Sequence, residues 1–172
     1  HLDYLGPLAR EKLEAQLDHG RSDPIAGRRM RQGVIVGRHT QRQSIGEHFR
    51  SGNRLVTLLG TAGVGKTRLA LEVAEDLQDL EHKVVFCDLT EATDELGIAR
   101  RLARTLDVRL RDMDPMAHLC EILSAQRTLL ILDNLEQVQQ TIGPLIQEWV
   151  TNTEHLLILA TSRVRLMVEA ET

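Results

Sequence analysis

Eight consecutive residues, Gly60-Thr61-Ala62-Gly63-Val64-Gly65-Lys66-Thr67, constrain this chain more than any other stretch. They fit the pattern G-x-x-x-x-G-K-[ST], a glycine-rich loop that cradles phosphates. The apolar run Leu55–Leu59 before them has the length of a strand. After them Leu69, Ala70, Val73, Ala74, Leu77 and Leu80 recur at helical spacing. Glycines let the backbone turn its N–H groups onto phosphate oxygens, and the helix that follows adds its positive N-terminal end. Lys66 is expected to reach the β- and γ-phosphates, and the Thr67 hydroxyl to hold Mg2+.

A second motif completes the expected nucleotide site. Thr128-Leu129-Leu130-Ile131-Leu132 reads as a buried strand that ends at Asp133. That strand would deliver its carboxylate to the C-terminal edge of the sheet, where ligands bind in open α/β folds and where Asp133 can serve Mg2+. Lys83–Leu89 is another apolar run, and Leu156–Ala160 a fourth, ending at Thr161. One strand-helix unit separates the phosphate loop from the Asp133 strand, the order found in the additional-strand class of P-loop ATPases. In that class the fourth strand lies between the other two in space. Its end, Ala160-Thr161-Ser162-Arg163, then sits near the γ-phosphate, with Thr161 or Ser162 as sensor and Arg163 in reach. No N/T-K-x-D guanine motif follows a strand, so adenine is the expected base.

Strands alternating with helices predict a three-layer α/β core around a parallel sheet. Helices are expected from Thr40 to Ser51, from Thr67 to about Leu80, after a Thr93 cap through Leu106, from Asp114-Pro115, and from Val138 to Val150 with a break at Gly143-Pro144. Residues 1–32 read as an N-terminal helix, with Leu5, Leu8, Leu13 and Leu17 on one face, and a polar linker. Residues 33–172 form the nucleotide-binding domain. The cluster Arg28, Arg29, Arg31, Arg38 and Arg42 could contact nucleic acid but reads more readily as a solvated linker face.

With 172 residues a single core of ordinary size is affordable, and the net charge of −4 implies no polyanionic partner. Cys87 and Cys120 are not spaced as metal ligands and read as small core residues in a reducing compartment. No apolar run approaches about 18 residues and no signal peptide opens the chain, which predicts a cytoplasmic protein without a membrane partner.

Four motifs in order carry a resemblance. They are Val36-Gly37-Arg38, the loop through Arg68-Leu69-Ala70, Leu132-Asp133-Asn134-Leu135-Glu136, and Ala160-Thr161-Ser162-Arg163. Over about residues 33–168 the set resembles the STAND signal-transduction ATPases, near the NB-ARC group, and most of all the large bacterial ATP-binding regulators of the LuxR and SARP types. The resemblance implies that Val36, Gly37 and Arg38 lie against adenine and ribose. It implies that the stretch Gly60, Thr61, Ala62, Gly63, Val64, Gly65, Lys66, Thr67 and Arg68 holds ATP or ADP, that Asp133 serves Mg2+, and that Arg163 distinguishes ATP from ADP. It further implies a switch that is monomeric with ADP and oligomerises with ATP, contacting DNA only through parts outside this chain. Relatives continue beyond this point with a fifth strand and a helical lid, so the core is expected to stop short of both and to leave an open edge beside the phosphate-loop strand.

Two residues depart from the pattern. His39 stands where many relatives carry an acidic residue. Asn134 stands where vigorous ATPases place a carboxylate that activates water, and asparagine cannot act as a general base at neutral pH. Slow hydrolysis is therefore expected, with Lys66, Asp133 and Arg163 as the residues closest to the chemistry. The competing readings are a mechanical or DNA-loading AAA-type ATPase, which predicts fast DNA-stimulated turnover, a nucleotide-binding scaffold without turnover, and a small-molecule kinase, for which no acceptor signature is present.

Overall fold

In the computed structural model, residues 38–78, 82–110 and 113–172 are described here, with the side chain of Gln78 excluded. The expected N-terminal helix, the linker arginines Arg28, Arg29 and Arg31, and the residues Val36, Gly37 and Leu80 lie outside them. The elements run α1 (His39–Arg50), β1 (Leu55–Leu59), α2 (Lys66–Gln78), β2 (Lys83–Asp88), α3 (Glu95–Leu106), α4 (Pro115–Ser124), β3 (Thr128–Asp133), a 3-10 turn (Leu135–Gln137), α5 (Gln139–Asn152) and β4 (Leu156–Ser162).

The four strands form one parallel sheet in the order β1-β4-β3-β2. As expected, β4 lies between the strand before the phosphate loop and the strand that carries Asp133. Leu55 pairs with Ile158, Leu59 with Ser162, and Leu132 with Ala160. All six residues of β3 are buried, because helices cover both faces of the sheet. The strand period of two divides its side chains. Leu130, Leu132, Leu156, Ile158 and Ala160 join the core made with Ile98, Leu102, Leu119, Ile142 and Trp149 of α3, α4 and α5. Leu129, Ile131 and Leu159 alternate to the other face, where α2 buries Leu69, Ala70, Val73, Ala74 and Leu77. Helix α1 packs outside α2 through Ile45 and Phe49, and Arg42 pairs with Asp76. That ion pair is largely exposed and contributes well under about 1 kcal/mol.

Local details differ from expectation at three helices. Asp94 rather than Thr93 caps α3, its carboxylate accepting from the Gly97 amide at 2.7 Å. Thr40 lies inside α1, which starts at His39 without a side-chain cap. Helix α5 is not broken at Gly143-Pro144. The carbonyl that Pro144 deprives of a donor belongs to Gln140, which is exposed and can be hydrated. Gly143 is buried where a Cβ would come within 3.3 Å of Leu166 O and Val168 Cγ1, so glycine there permits a close chain approach.

The outer edge of β1 is met by the last residues of the chain. Glu171 bridges to Leu55, and the Thr57 amide donates to Thr172 O at 2.9 Å. The edge expected to be open therefore carries one parallel bridge and one backbone hydrogen bond from residues 171 and 172.

Cys87 is buried and Cys120 half-buried, so only the first is a core residue in the strict sense. Burial pushes the Cys87 thiol up to about 11, and it also raises Cys120. At pH 8 iodoacetamide is expected to alkylate Cys120 in the native protein and Cys87 only after unfolding, since the thiolate is the reactive form. Peptide mass mapping against time checks this, and equal labelling rates would contradict the burial of Cys87.

Candidate functional site

The site lies at the C-terminal edge of the sheet, where β1, β3, β4 and β2 end in Leu59, Asp133, Ser162 and Asp88. The loop after β1 takes the conformation its glycines permit. Gly63 and Gly65 have φ of 78° and 84°, in the left-handed region that side chains with a Cβ rarely enter. At Gly65 a Cβ would also stand 3.3 Å from the Arg38 guanidinium. The first turn of α2 follows directly, with the Leu69 amide donating to Gly65 O at 3.0 Å. The exposed residues Thr61, Ala62, Gly63 and Val64 thus sit at the positive end of a thirteen-residue helix.

Lys66 folds back on this loop, its ammonium donating to Gly60 O at 2.8 Å and to Thr61 O at 3.1 Å. Thr67, one residue on, faces β3. Its hydroxyl lies 2.9 Å from both carboxylate oxygens of Asp133. Asp133 is 2% exposed and also accepts from the Thr161 hydroxyl and, at 3.3 Å, from the Asn134 side chain. Lys66, Thr67 and Asp133 come together although β3 lies far along the chain from the loop.

The remaining expected residues are placed as follows. The Ser162 hydroxyl accepts from the Val164 amide at 3.1 Å, and Ser162 O accepts from Gly60 N at 3.3 Å, so β4 ends against the start of the phosphate loop. Both hydroxyls are thereby engaged within the protein, Thr161 with Asp133 and Ser162 with its own turn. The Arg163 Nε donates to Glu136 Oε1 at 2.9 Å. Arg38 donates to the carbonyls of Val64 and, at 3.0 Å, Gly65, so its guanidinium grips the backbone of the loop. Arg68 turns along α2 to Glu72 at 3.2 Å.

Two residues at the site were not singled out from the sequence. Asp88 ends β2 as Asp133 ends β3, and Thr90 follows it. Together they receive the side-chain amide of Asn134 at 3.0 and 2.9 Å. The signal was present as a second apolar strand closing on aspartate. Among the described residues no group of three or more His, Cys, Asp or Glu is arranged to hold a metal ion, and no helix is long and apolar enough to cross a membrane.

A parallel sheet with a strand inserted between the loop strand and the Asp133 strand, and Lys66, Thr67 and Asp133 at its C-terminal edge, defines a P-loop ATPase of the additional-strand type. The chain belongs to the AAA domain family, whose model matches residues 49–166. A "Putative HTH-type transcriptional regulator" of Mycobacterium tuberculosis is 40% identical over 114 residues, covering 64% of this chain and 13% of that protein. An uncharacterized protein of the same organism is 28% identical over 133 residues, covering 74% of this chain and 33% of its own length. The chain thus spans a small part of these relatives. Among solved structures, Cdc6p from Pyrobaculum aerophilum shares the fold with a TM-score of 0.61 at 18% identity, over 79% of this chain and 41% of that one. A STAND protein with a tetratricopeptide repeat sensor from Pyrococcus horikoshii does so with a TM-score of 0.52 at 18% identity, over 83% and 23%. The family and the fold agree with the motif-based expectation.

Proposed function

We propose that the chain is the ATP/ADP-binding switch domain of a signal-transduction ATPase, part of a bacterial transcriptional regulator, with slow hydrolysis. One observation carries the reading. Lys66, Thr67 and Asp133 share one edge of the sheet, as triphosphate binding requires, yet the residue beside Asp133 is an asparagine whose amide nitrogen donates to neighbouring oxygens. Such a site binds and discriminates without a carboxylate at the position that follows Asp133. The name of the 40% identical relative supports the placement in a regulator.

The residues present suit Mg2+, since the Thr67 hydroxyl and Asp133 carboxylate offer hard oxygen donors 2.9 Å apart. The ion would neutralise charge on the β- and γ-phosphates. Lys66 exchanges the carbonyls of Gly60 and Thr61 for phosphate oxygens, and the amides of Gly63 to Thr67 orient the triphosphate. Arg163 leaves Glu136 for the γ-phosphate when one is present, which makes that ion pair the contact that differs between ATP and ADP. Arg163→Ala is expected to weaken ATP binding about tenfold, a loss of about 1.4 kcal/mol, and to leave ADP binding within about twofold. Equal losses for both nucleotides would remove Arg163 from the sensing role.

Calorimetric titration with ATP, ADP and GTP, each with Mg2+, tests the whole reading, followed by turnover measurement. Adenine-selective binding with turnover well below one per second is expected. Fast, DNA-stimulated turnover would replace the switch with a mechanical ATPase.

A further inference from the structure

Asp88 and Asp133 are register partners at the ends of adjacent strands. Asp88 Oδ1 accepts from the Thr90 amide at 3.0 Å, the Thr90 hydroxyl at 2.6 Å and the Asn134 side-chain nitrogen at 3.0 Å. The same nitrogen lies 2.9 Å from Thr90 Oγ1 and 3.3 Å from Asp133 Oδ2. With its hydrogen given to Asp88, the Thr90 oxygen is left as an acceptor. Every group around the Asn134 nitrogen is then an acceptor, which determines the orientation of the amide. The backbone contributes as well. Asn134 has φ 63° and ψ 53°, a left-handed conformation that asparagine enters more readily than glutamate. A carboxylate at this position would meet two others with no hydrogen to offer.

We propose that Asp88 and Thr90, at the end of β2, form a receptacle that selects an amide at position 134, and that Asp88 thereby excludes a carboxylate from the position after Asp133 and holds ATP hydrolysis slow. This deepens the switch reading and rests on it. In hydrolysis a water oxygen bonds to the γ-phosphorus, the bond from that phosphorus to the bridging oxygen breaks, and ADP and phosphate leave. The Asn134 carbonyl, at the end of the amide away from Asp88, can accept a hydrogen bond from the water. It cannot take the proton, which passes to the phosphate or to solvent. Asp88 is a positioning residue here, acting through Asn134.

The test uses the full chain with Asn134→Asp, Asn134→Glu, Asp88→Asn and the two double variants. Melting without nucleotide at pH 7 reads the receptacle. Asn134→Asp is expected to lower the Tm by about 4 °C or more. Asp88→Asn combined with Asn134→Asp should regain most of that loss, because the amide and the carboxylate have exchanged places. Turnover reads the consequence. Asp88→Asn combined with Asn134→Glu is expected to hydrolyse ATP at least tenfold faster than the natural protein, and Asn134→Glu alone less than threefold faster. Additive effects on the Tm, or full acceleration by Asn134→Glu alone, overturn the receptacle. Calorimetry with ATP on the natural protein separates the two readings. A Tm without coupling while ATP still binds sinks the receptacle and spares the switch. Absence of adenine nucleotide binding sinks the switch and, with it, the hydrolytic role of Asp88.

Discussion

Lys66→Ala is expected to weaken ATP binding by about 10- to 150-fold, from the loss of a charge-assisted contact of about 1.5–3 kcal/mol, while leaving the Tm nearly unchanged. The side chain bonds the loop and is no part of the core. Among the described residues its ammonium donates to Gly60 O and Thr61 O, and both carbonyls sit at an accessible loop where water can replace it. ADP should lose less than ATP, since the lysine reaches toward the terminal phosphate. Titration calorimetry beside a melting curve separates the effects. Wild-type ATP affinity in the alanine variant would end the assignment of this loop to phosphate binding, and a Tm lowered by many degrees would show that the lysine holds the fold.

Asp133→Ala is expected to do the reverse, damaging the fold as well as the site. The carboxylate is 2% exposed and accepts from the Thr67 hydroxyl, the Thr161 hydroxyl and the Asn134 amide. Its removal leaves the half-buried Thr67 hydroxyl of α2 and the buried Thr161 hydroxyl of β4 without their acceptor, at a cost of about 3 kcal/mol. For a chain of this size that lowers the Tm by about 6–12 °C. Asp133→Asn keeps the shape and one acceptor oxygen, so it should melt closer to the natural protein. It should nonetheless lose most of the Mg2+ dependence of ATP binding while retaining metal-free ADP binding. An unchanged Mg2+ titration in Asp133→Asn would take this residue out of the metal role, and an unchanged Tm in Asp133→Ala would contradict its burial and bonding.

Much of the architecture was legible because it rests on strong local signals. A glycine-rich loop between an apolar run and a helical repeat permits few folds. The continuous apolar character of Leu129 to Leu132 is what a strand covered on both faces requires. The position of β4 between β1 and β3 followed from the order of the motifs. What escaped depends on how the folded chain brings segments together. Thr93 and Asp94 are adjacent cap formers, and only the direction of the chain entering α3 selects the carboxylate. The continuity of α5 through Pro144 depends on Gln140 facing water, which a linear pattern does not display. At the site, Lys66 and Thr67 were readable from the spacing of the glycine-rich loop, and Asp133 from the apolar run that it ends. Asp88 was not, because its importance arises only when β2 is laid beside β3 and Asn134 turns left-handed toward it. Thr161, Ser162 and Arg163 were placed at the correct edge, but their partners Asp133, Val164 and Glu136 are properties of the folded chain.

The pairing of β1 has a consequence for how the protein assembles. Val84 on β2 finds Leu129 on β3 within the middle of the chain, whereas Leu55 must find Ile158, and its outer edge finds Glu171. Closing the longer loops costs more chain entropy, so β1 and its phosphate loop are expected to be zipped onto a sheet whose other strands already stand together. By the same reasoning β1 is the strand whose release exposes the least of the α3-α4-α5 core, and hydrogen exchange should find its amides opening below the global free energy. A nucleotide bound at the loop would then guard the seam expected to form last, and its departure would loosen that seam first.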